Sequence, residues 1–162
     1  MLRNYMNFAW HGRSLKSYYF LNNSCLYIIF LGVFMGLDAI GIPCKEAEKS
    51  IKFYSLLGLN FKKYGEGHWE AVTTSGFRIM LDSYELMEKI DPEWKPPVRP
   101  GTTLAFKQEN AEQVDELIKE IKTQGYEVIK EPWDAFWGQR YSTVLDVDGN
   151  RVDIFSPLQE SH

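Results

Sequence analysis

Cysteine and histidine are scarce in this chain of 162 residues. Its two cysteines, Cys25 and Cys44, form no CxxC pair, so neither a disulfide framework nor a thiolate zinc site can be built within one chain. A reducing, cytoplasmic setting is expected. Of the three histidines, His11 and His162 lie near the termini, leaving His68 as the one inside the patterned region. A single-chain site needing two or three imidazoles is short of ligands. Long runs of one charge are also missing. Lys plus Arg 18 against Asp plus Glu 22 gives net charge -4 with no basic stripe, so nucleic acid is not an expected partner. What is present, 44% hydrophobic and 25% charged residues, is enough to bury a core. At roughly 100 to 200 residues per domain, the length allows one domain with a tail.

The first 36 residues differ from the rest. From Ser17 to Leu37 there is no charge, and Cys25 to Met35 (CLYIIFLGVFM) is almost continuously apolar, with Arg3, Arg13 and Lys16 upstream. This apolar run falls short of the ~18 residues of a spanning helix. It is closer to the apolar region of a signal peptide, yet Gly36, Leu37 and Asp38 supply no small-x-small cleavage site. Met35 stands directly before the first patterned strand. Residues 1–36 are therefore read as a leader of open role: a misassigned start or disordered segment, a signal or anchor, or a segment packed on the domain or a partner. A membrane association is expected only if the leader is a true anchor.

Beyond Met35 one pattern occurs twice. Leu37 to Cys44 reads as a strand and Glu46 to Leu57 as a helix, with Ala47, Ile51, Tyr54 and Leu57 at near-helical spacing and Gly58 as its stop. Strands follow over Leu59 to Tyr64, His68 to Thr74 and Phe77 to Asp82. In the second half Thr102 to Lys107 is a strand. Asn110 and Gln113 resemble a capping box, Val114, Leu117, Ile118 and Ile121 form an apolar stripe, and Gly125 ends the helix. Tyr126 to Lys130, Tyr141 to Val147 and Asn150 to Phe155 are strands, the last two joined by Asp148-Gly149, a signal for a two-residue hairpin turn. Between the halves, Pro92, Pro96, Pro97 and Pro100 predict a stiff extended connection with one helical turn at its start. The fold class is α+β: two tandem βαβββ modules at about 37–82 and 102–157, a linker at 83–101 and a tail at 159–162.

The stretches AIGIPCKEAEKSIKFYSLLGLNF, GFRIMLDS, GTTLAF and LDVDGNRVDIFSP resemble the vicinal oxygen chelate superfamily, which includes glyoxalase I, bleomycin-resistance proteins, fosfomycin-resistance enzymes and extradiol dioxygenases. The resemblance spans Leu37 to about Leu158. It implies a curled mixed sheet around a cleft, often completed by a homodimer. Strand alternation then selects the side chains that face the cleft: Ala39, Gly41 and Pro43; Arg78, Met80 and Asp82; Thr103, Ala105 and Lys107; Arg151, Asp153 and Phe155. In metal-dependent relatives four such positions carry His or Gln, Glu, His and Glu. The resemblance carries them onto Ala39, Met80, Thr103 and Asp153. Only Asp153 is a good hard-metal ligand, so no metal and no cofactor are expected.

Trp69, Trp94, Trp133 and Trp137 fall in strands or loops near the expected cleft mouth, with Trp133 to Gly138 (WDAFWG) read as a loop. Aromatic faces hold planar or cationic guests, each contact contributing roughly 0.5 to 2 kcal/mol. The expected ligand-binding set is Trp69, Arg78, Met80, Thr103, Trp133, Trp137 and Asp153, with no catalytic residue assigned. Blander readings stand beside it. The tryptophans also suit a core or dimer interface, Arg78 with Asp82 and Arg151 with Asp153 suit plain ion pairs, and Asp146 to Asn150 suits a hairpin turn better than a calcium loop. His68 reads as a general base or, more safely, as an exposed or interfacial histidine. Cys44 should behave as a small buried hydrophobe. The expected function is glyoxalase/bleomycin-resistance-like binding of a small planar or amphipathic molecule. The alternative is a lyase, transferase or dioxygenase-type enzyme with a non-standard or partner-completed site, in which Asp153, Arg78 and Lys107 orient an oxyanion.

Overall fold

The structure, a computed structural model, describes residues 9–11, 14–21, 24–29, 36–98 and 101–158. The chain divides into two compact units, Met1–Leu37 and Asp38–His162. In the first, β1 (Ala9–His11), β2 (Ser14–Leu21) and β3 (Ser24–Ile29) form an antiparallel sheet in that order. The apolar run that begins at Cys25 is described as far as Ile29. Its remainder, Arg3, Arg13, Pro100 and the tail at 159–162 lie outside the described residues. No helix among the described residues is long and apolar enough to cross a membrane.

The second unit holds the two modules. β4 (Ala39–Cys44), α1 (Ala47–Leu56), β5 (Lys62–Gly65), β6 (His68–Val72) and β7 (Arg78–Ser83) form the first, and α2 (Tyr84–Ile90) opens the connection. β8 (Thr103–Lys107), α3 (Ala111–Thr123), β9 (Val128–Ala135), β10 (Gln139–Leu145) and β11 (Arg151–Pro157) form the second. The sheet orders are β4-β7-β6-β5 and β8-β11-β10-β9, and in each the first and last strands of the module run parallel. This is the α+β, twice-repeated βαβββ architecture that the pattern predicts.

Both long helices stop as their sequences require. Gly58 (φ 81) and Gly125 (φ 84) take the left-handed conformation after α1 and α3. The next amides, of Leu59 and Tyr126, reach back to the carbonyls of Tyr54 and Ile121, closing Schellman turns. At the start of α3, Asn110 Oδ1 accepts from the Gln113 amide at 2.9 Å, while Gln113 Oε1 accepts from the Glu109 amide at 3.1 Å, one residue earlier than a standard capping box.

Three local expectations are corrected. The connection begins with two helical turns rather than one, because Ser83 Oγ caps α2 through the Leu86 amide at 3.2 Å and no proline intervenes before Pro92. Trp133 and Asp134 belong to β9 rather than to a loop. Trp133 pairs with Tyr141, and register shifts between Tyr141 and Val144 absorb the irregularity around Pro132. The turn at Asp148-Gly149 is longer than two residues. Leu145 and Arg151 form the last pair, the Gly149 amide bonds the Asp146 carbonyl at 3.2 Å, and Gly149 sits at φ 84. Asp146 Oδ1 holds this wider turn by accepting the amides of Asp148 and Asn150 at 2.9 and 2.8 Å.

One core serves both modules. Ile42, Cys44, Ile79 and Leu81 from the first sheet, Phe53 and Tyr54 from α1, Val114, Ile118 and Ile121 from α3, and Val144, Val152 and Ile154 from the second sheet form a continuous buried cluster. Phe53 meets Tyr126 edge to face at 5.0 Å. The last hairpin turn fastens the modules further. Asp148 Oδ1 accepts the Lys45 amide at 3.0 Å and its Oδ2 accepts Ser50 Oγ at 3.1 Å, placing a carboxylate at the start of α1, where the helix dipole favours it. The calcium-like spelling of Asp146 to Asn150 is thus explained by turn and module contacts.

Candidate functional site

Each sheet keeps one face against its helix and turns the other away. On the second sheet the register fixes the open face as three rows. Lys107, Phe155, Tyr141 and Trp133 lie side by side across the four strands, Ala105, Asp153, Thr143 and Lys130 make the next row, and Thr103, Arg151 and Leu145 the third. Trp137, from the β9–β10 turn, stands edge to face on both Trp133 and Tyr141, each at 5.4 Å. Phe136 adds a ring 4.8 Å from Trp137 and is 91% exposed, with Trp137 itself 47% exposed. Trp137 Nε1 donates to Gln139 Oε1 at 2.8 Å, whereas the Trp133 Nε1 donor is buried without a partner. Lys130 Nζ lies 4.8 Å from the Trp133 ring centre. In the second row Thr143 Oγ1 donates to Asp153 Oδ1 at 2.8 Å. Burial, with a smaller contribution from hydrogen bonding to Asp153, raises the Tyr141 hydroxyl above its ordinary pKa.

The open face of the first sheet is polar. Asp82 Oδ1 lies 2.6 Å from His68 Nδ1, and Glu70 Oε1 lies 2.9 Å from His68 Nε2. Arg78 then donates to Glu70 Oε2 at 2.7 Å and to Asp38 Oδ2 at 2.6 Å. The carboxylates beside it, Asp82 foremost, raise the His68 pKa, and His68 followed by Arg78 lowers that of Glu70. Protonation of the ring lets both nitrogens donate, one to each carboxylate, which is why the pKa is raised. A Cβ on Gly41 would lie 3.4 Å from Asp82 Oδ2 and 3.6 Å from Met80 Cε, in ordinary van der Waals contact.

A family model for the glyoxalase/bleomycin resistance protein/dioxygenase superfamily matches residues 36–154. The chain belongs to that superfamily. A hypothetical protein from S. aureus superposes with a TM-score of 0.67 at 18% identity, covering 78% of this chain and 97% of the other. A glyoxalase-related enzyme from Fulvimarina pelagi gives 0.66 at 18%, covering 76% and 88%. A glyoxalase/bleomycin resistance protein/dioxygenase from Nocardioides gives 0.65 at 16%, covering 82% and 89%. At such identities the likeness is one of fold. No curated protein matches the sequence.

In this superfamily member the four positions onto which the resemblance carries metal ligands, Ala39, Met80, Thr103 and Asp153, lie on the open faces. Their donors do not fit a divalent ion: a methyl, a thioether, a hydroxyl, and one carboxylate whose Oδ1 is already bonded to Thr143. Among the described residues no three His, Cys, Asp or Glu side chains are grouped to hold a metal ion.

The seven expected ligand-binding residues do not form one wall. Trp133, Trp137, Thr103 and Asp153 share the second sheet's open face, and Arg78 and Met80 that of the first. Trp69 pairs with Leu81 and therefore stands on the opposite, helix-side face, packed against the core with Lys63 5.4 Å from its ring centre. Trp94 packs edge to face on Tyr84 at 5.2 Å. Arg78 pairs with Asp38 and Glu70 rather than Asp82, so its guanidinium is committed and does not serve as the open oxyanion holder. Arg151 pairs with no carboxylate among the described residues, so the expected Arg151–Asp153 ion pair is also absent there. Cys44 is fully buried and its thiol is pushed up to about 12 by desolvation, as an inert core residue would be. Sequence reasoning overlooked Tyr141, Lys130 and Glu70. Alternation along RYST and HWE signals the first and last, while Lys130 reaches Trp133 only through the β9 register shift.

Proposed function

We propose that this chain is a metal-free, bleomycin-resistance-like member of its superfamily that sequesters a small planar molecule on the open face of the second module. The single observation carrying this reading is the cluster of Trp133, Trp137 and Tyr141, which leaves ring surface exposed on a rigid sheet instead of burying it in the core. The non-fitting donors at Ala39, Met80 and Thr103 support binding over metal-dependent catalysis. The protein would act in the cytoplasm as a homodimer.

Tryptophan emission during titration with a panel of planar drugs and metabolites tests the reading. Quenching or a spectral shift that disappears in Trp137→Ala is the expected result. A panel that leaves emission unchanged overturns it, as would stoichiometric zinc, nickel, iron or manganese in protein purified without chelators.

A further inference from the structure

We infer that the guest taken by the second module's open face is a planar anion, an aromatic or conjugated carboxylate or its equivalent. This rests on the planar-ligand reading and adds the charge class. The net charge of the chain is -4, and among the described residues Lys49, Arg78, Lys89, Lys122 and Arg140 pair with carboxylates while the other lysines and Arg151 do not. Three of the cations without a carboxylate partner gather on the aromatic face. Lys107 ends the aromatic row beside Phe155, Lys130 lies against Trp133, and Arg151 occupies the third row. Among the described residues none of the three pairs with a carboxylate. The carboxylate between them, Asp153, has its Oδ1 engaged by Thr143.

Hydrogen-bonding capacity is biased in the same direction. Lys107, Lys130 and Arg151 are donors without acceptor character. A cation seated on the rings would meet the like charges of Lys107, Lys130 and Arg151 against the single carboxylate of Asp153. A ring lying along Phe155, Tyr141 and Trp133 with an oxyanion directed at one end of the row meets stacking surface and a cation together. Strands are spaced about 4.8 Å apart, so the three-ring row is about 10 Å long, the length of a two-ring aromatic acid.

Three isosteric probes separate the charge class from the planar reading: naphthalene-2-carboxylate, 2-naphthamide and 2-naphthylmethylammonium. Each is titrated into the full chain while the indole N–H resonances of Trp133 and Trp137 are followed, at low and at high salt. The carboxylate should bind about tenfold more tightly than the amide, the combined worth of partly exposed charge contacts, and the ammonium most weakly. The advantage should shrink in salt and vanish in the combined K107Q, K130Q and R151Q variant, with each single variant taking part of it. Equal binding of carboxylate and amide, or tighter binding of the ammonium, overturns the anion inference and leaves the planar reading standing. Failure of all three to move either indole signal overturns the planar reading itself.

Discussion

The hydroxyl of Tyr54, in α1 of the first module, donates to Asp146 Oδ2 in the last hairpin of the second at 2.7 Å, across 92 residues of chain. Both groups are buried, and Asn150 Nδ2 reaches the same oxygen at 2.7 Å. Burial, then the neighbouring Asp146 charge, drives the Tyr54 pKa far up, so the phenol stays a donor throughout the working pH range. Removing it should loosen the modules together. Tyr54→Phe is expected to lose about 1.5 to 3 kcal/mol, the worth of a hydrogen bond to a charged acceptor. Urea denaturation with an unchanged m-value checks this, and a loss under about 0.5 kcal/mol would count against the clamp.

The place of His68 between Asp82 and Glu70 predicts a two-sided pH dependence. Its folded pKa is raised above the ordinary 6.5, so its stabilisation is complete below that value and is lost as pH climbs through the raised one. Glu70 is lowered from 4.5, so its share is present above that value and is lost as pH falls through the lowered one. Stability should therefore be highest between the two, and His68→Gln should flatten the alkaline limb. Nitrogen chemical shifts at pH 6 provide the direct test: two protonated ring nitrogens agree, and one pyridine-like nitrogen contradicts the arrangement.

Gly67 and Gly76 both take positive φ, 75 and 84, but differ in surroundings. A Cβ on Gly67 would stand 2.6 Å from Ser83 Oγ and 2.9 Å from Leu86 Cβ, at the capped start of α2, whereas nothing lies within 4 Å of one on Gly76. Gly76→Ala should cost about 1 to 2 kcal/mol from backbone conformation alone. Gly67→Ala should cost about 1 to 3 kcal/mol more, from overpacking. Equal melting temperatures for the two variants would contradict the close approach.

Trp137→Ala should leave the fold nearly as stable, because the side chain sits on the surface of its turn. Affinity for a planar guest should fall by a few fold to about thirtyfold, the equivalent of roughly 0.5 to 2 kcal/mol of aromatic contact. Comparing calorimetric titrations with thermal melts for this variant separates the two effects.

Much of the fold was legible because it rests on local periodicity and local stops. The alternation of Phe77 to Asp82 and of Asn150 to Phe155, the stripe of α3, and Gly58 and Gly125 are short-range features whose physics is complete within a few residues. Alternation also placed Met80, Thr103 and Asp153 on the open faces. Trp69 was instead assigned to the cleft as an aromatic residue, and its pairing with Leu81 puts it on the helix side, because a tryptophan's chemistry does not disclose which face it occupies. The extent of β9 was hidden by Pro132, which reads as a break but is accommodated by register shifts against β10.

By itself, then, the amino-acid sequence determined the repeated βαβββ order and the helix ends. Tertiary structure alone decided the partners of the charges: that Arg78 turns to Glu70 and Asp38, that His68 sits between two carboxylates, and that Asp146 receives Tyr54 from the other module. Periodicity acts along the chain, but electrostatic and hydrogen-bond partners are chosen by distance through space. Those distances exist only after strands far apart in sequence have come into register.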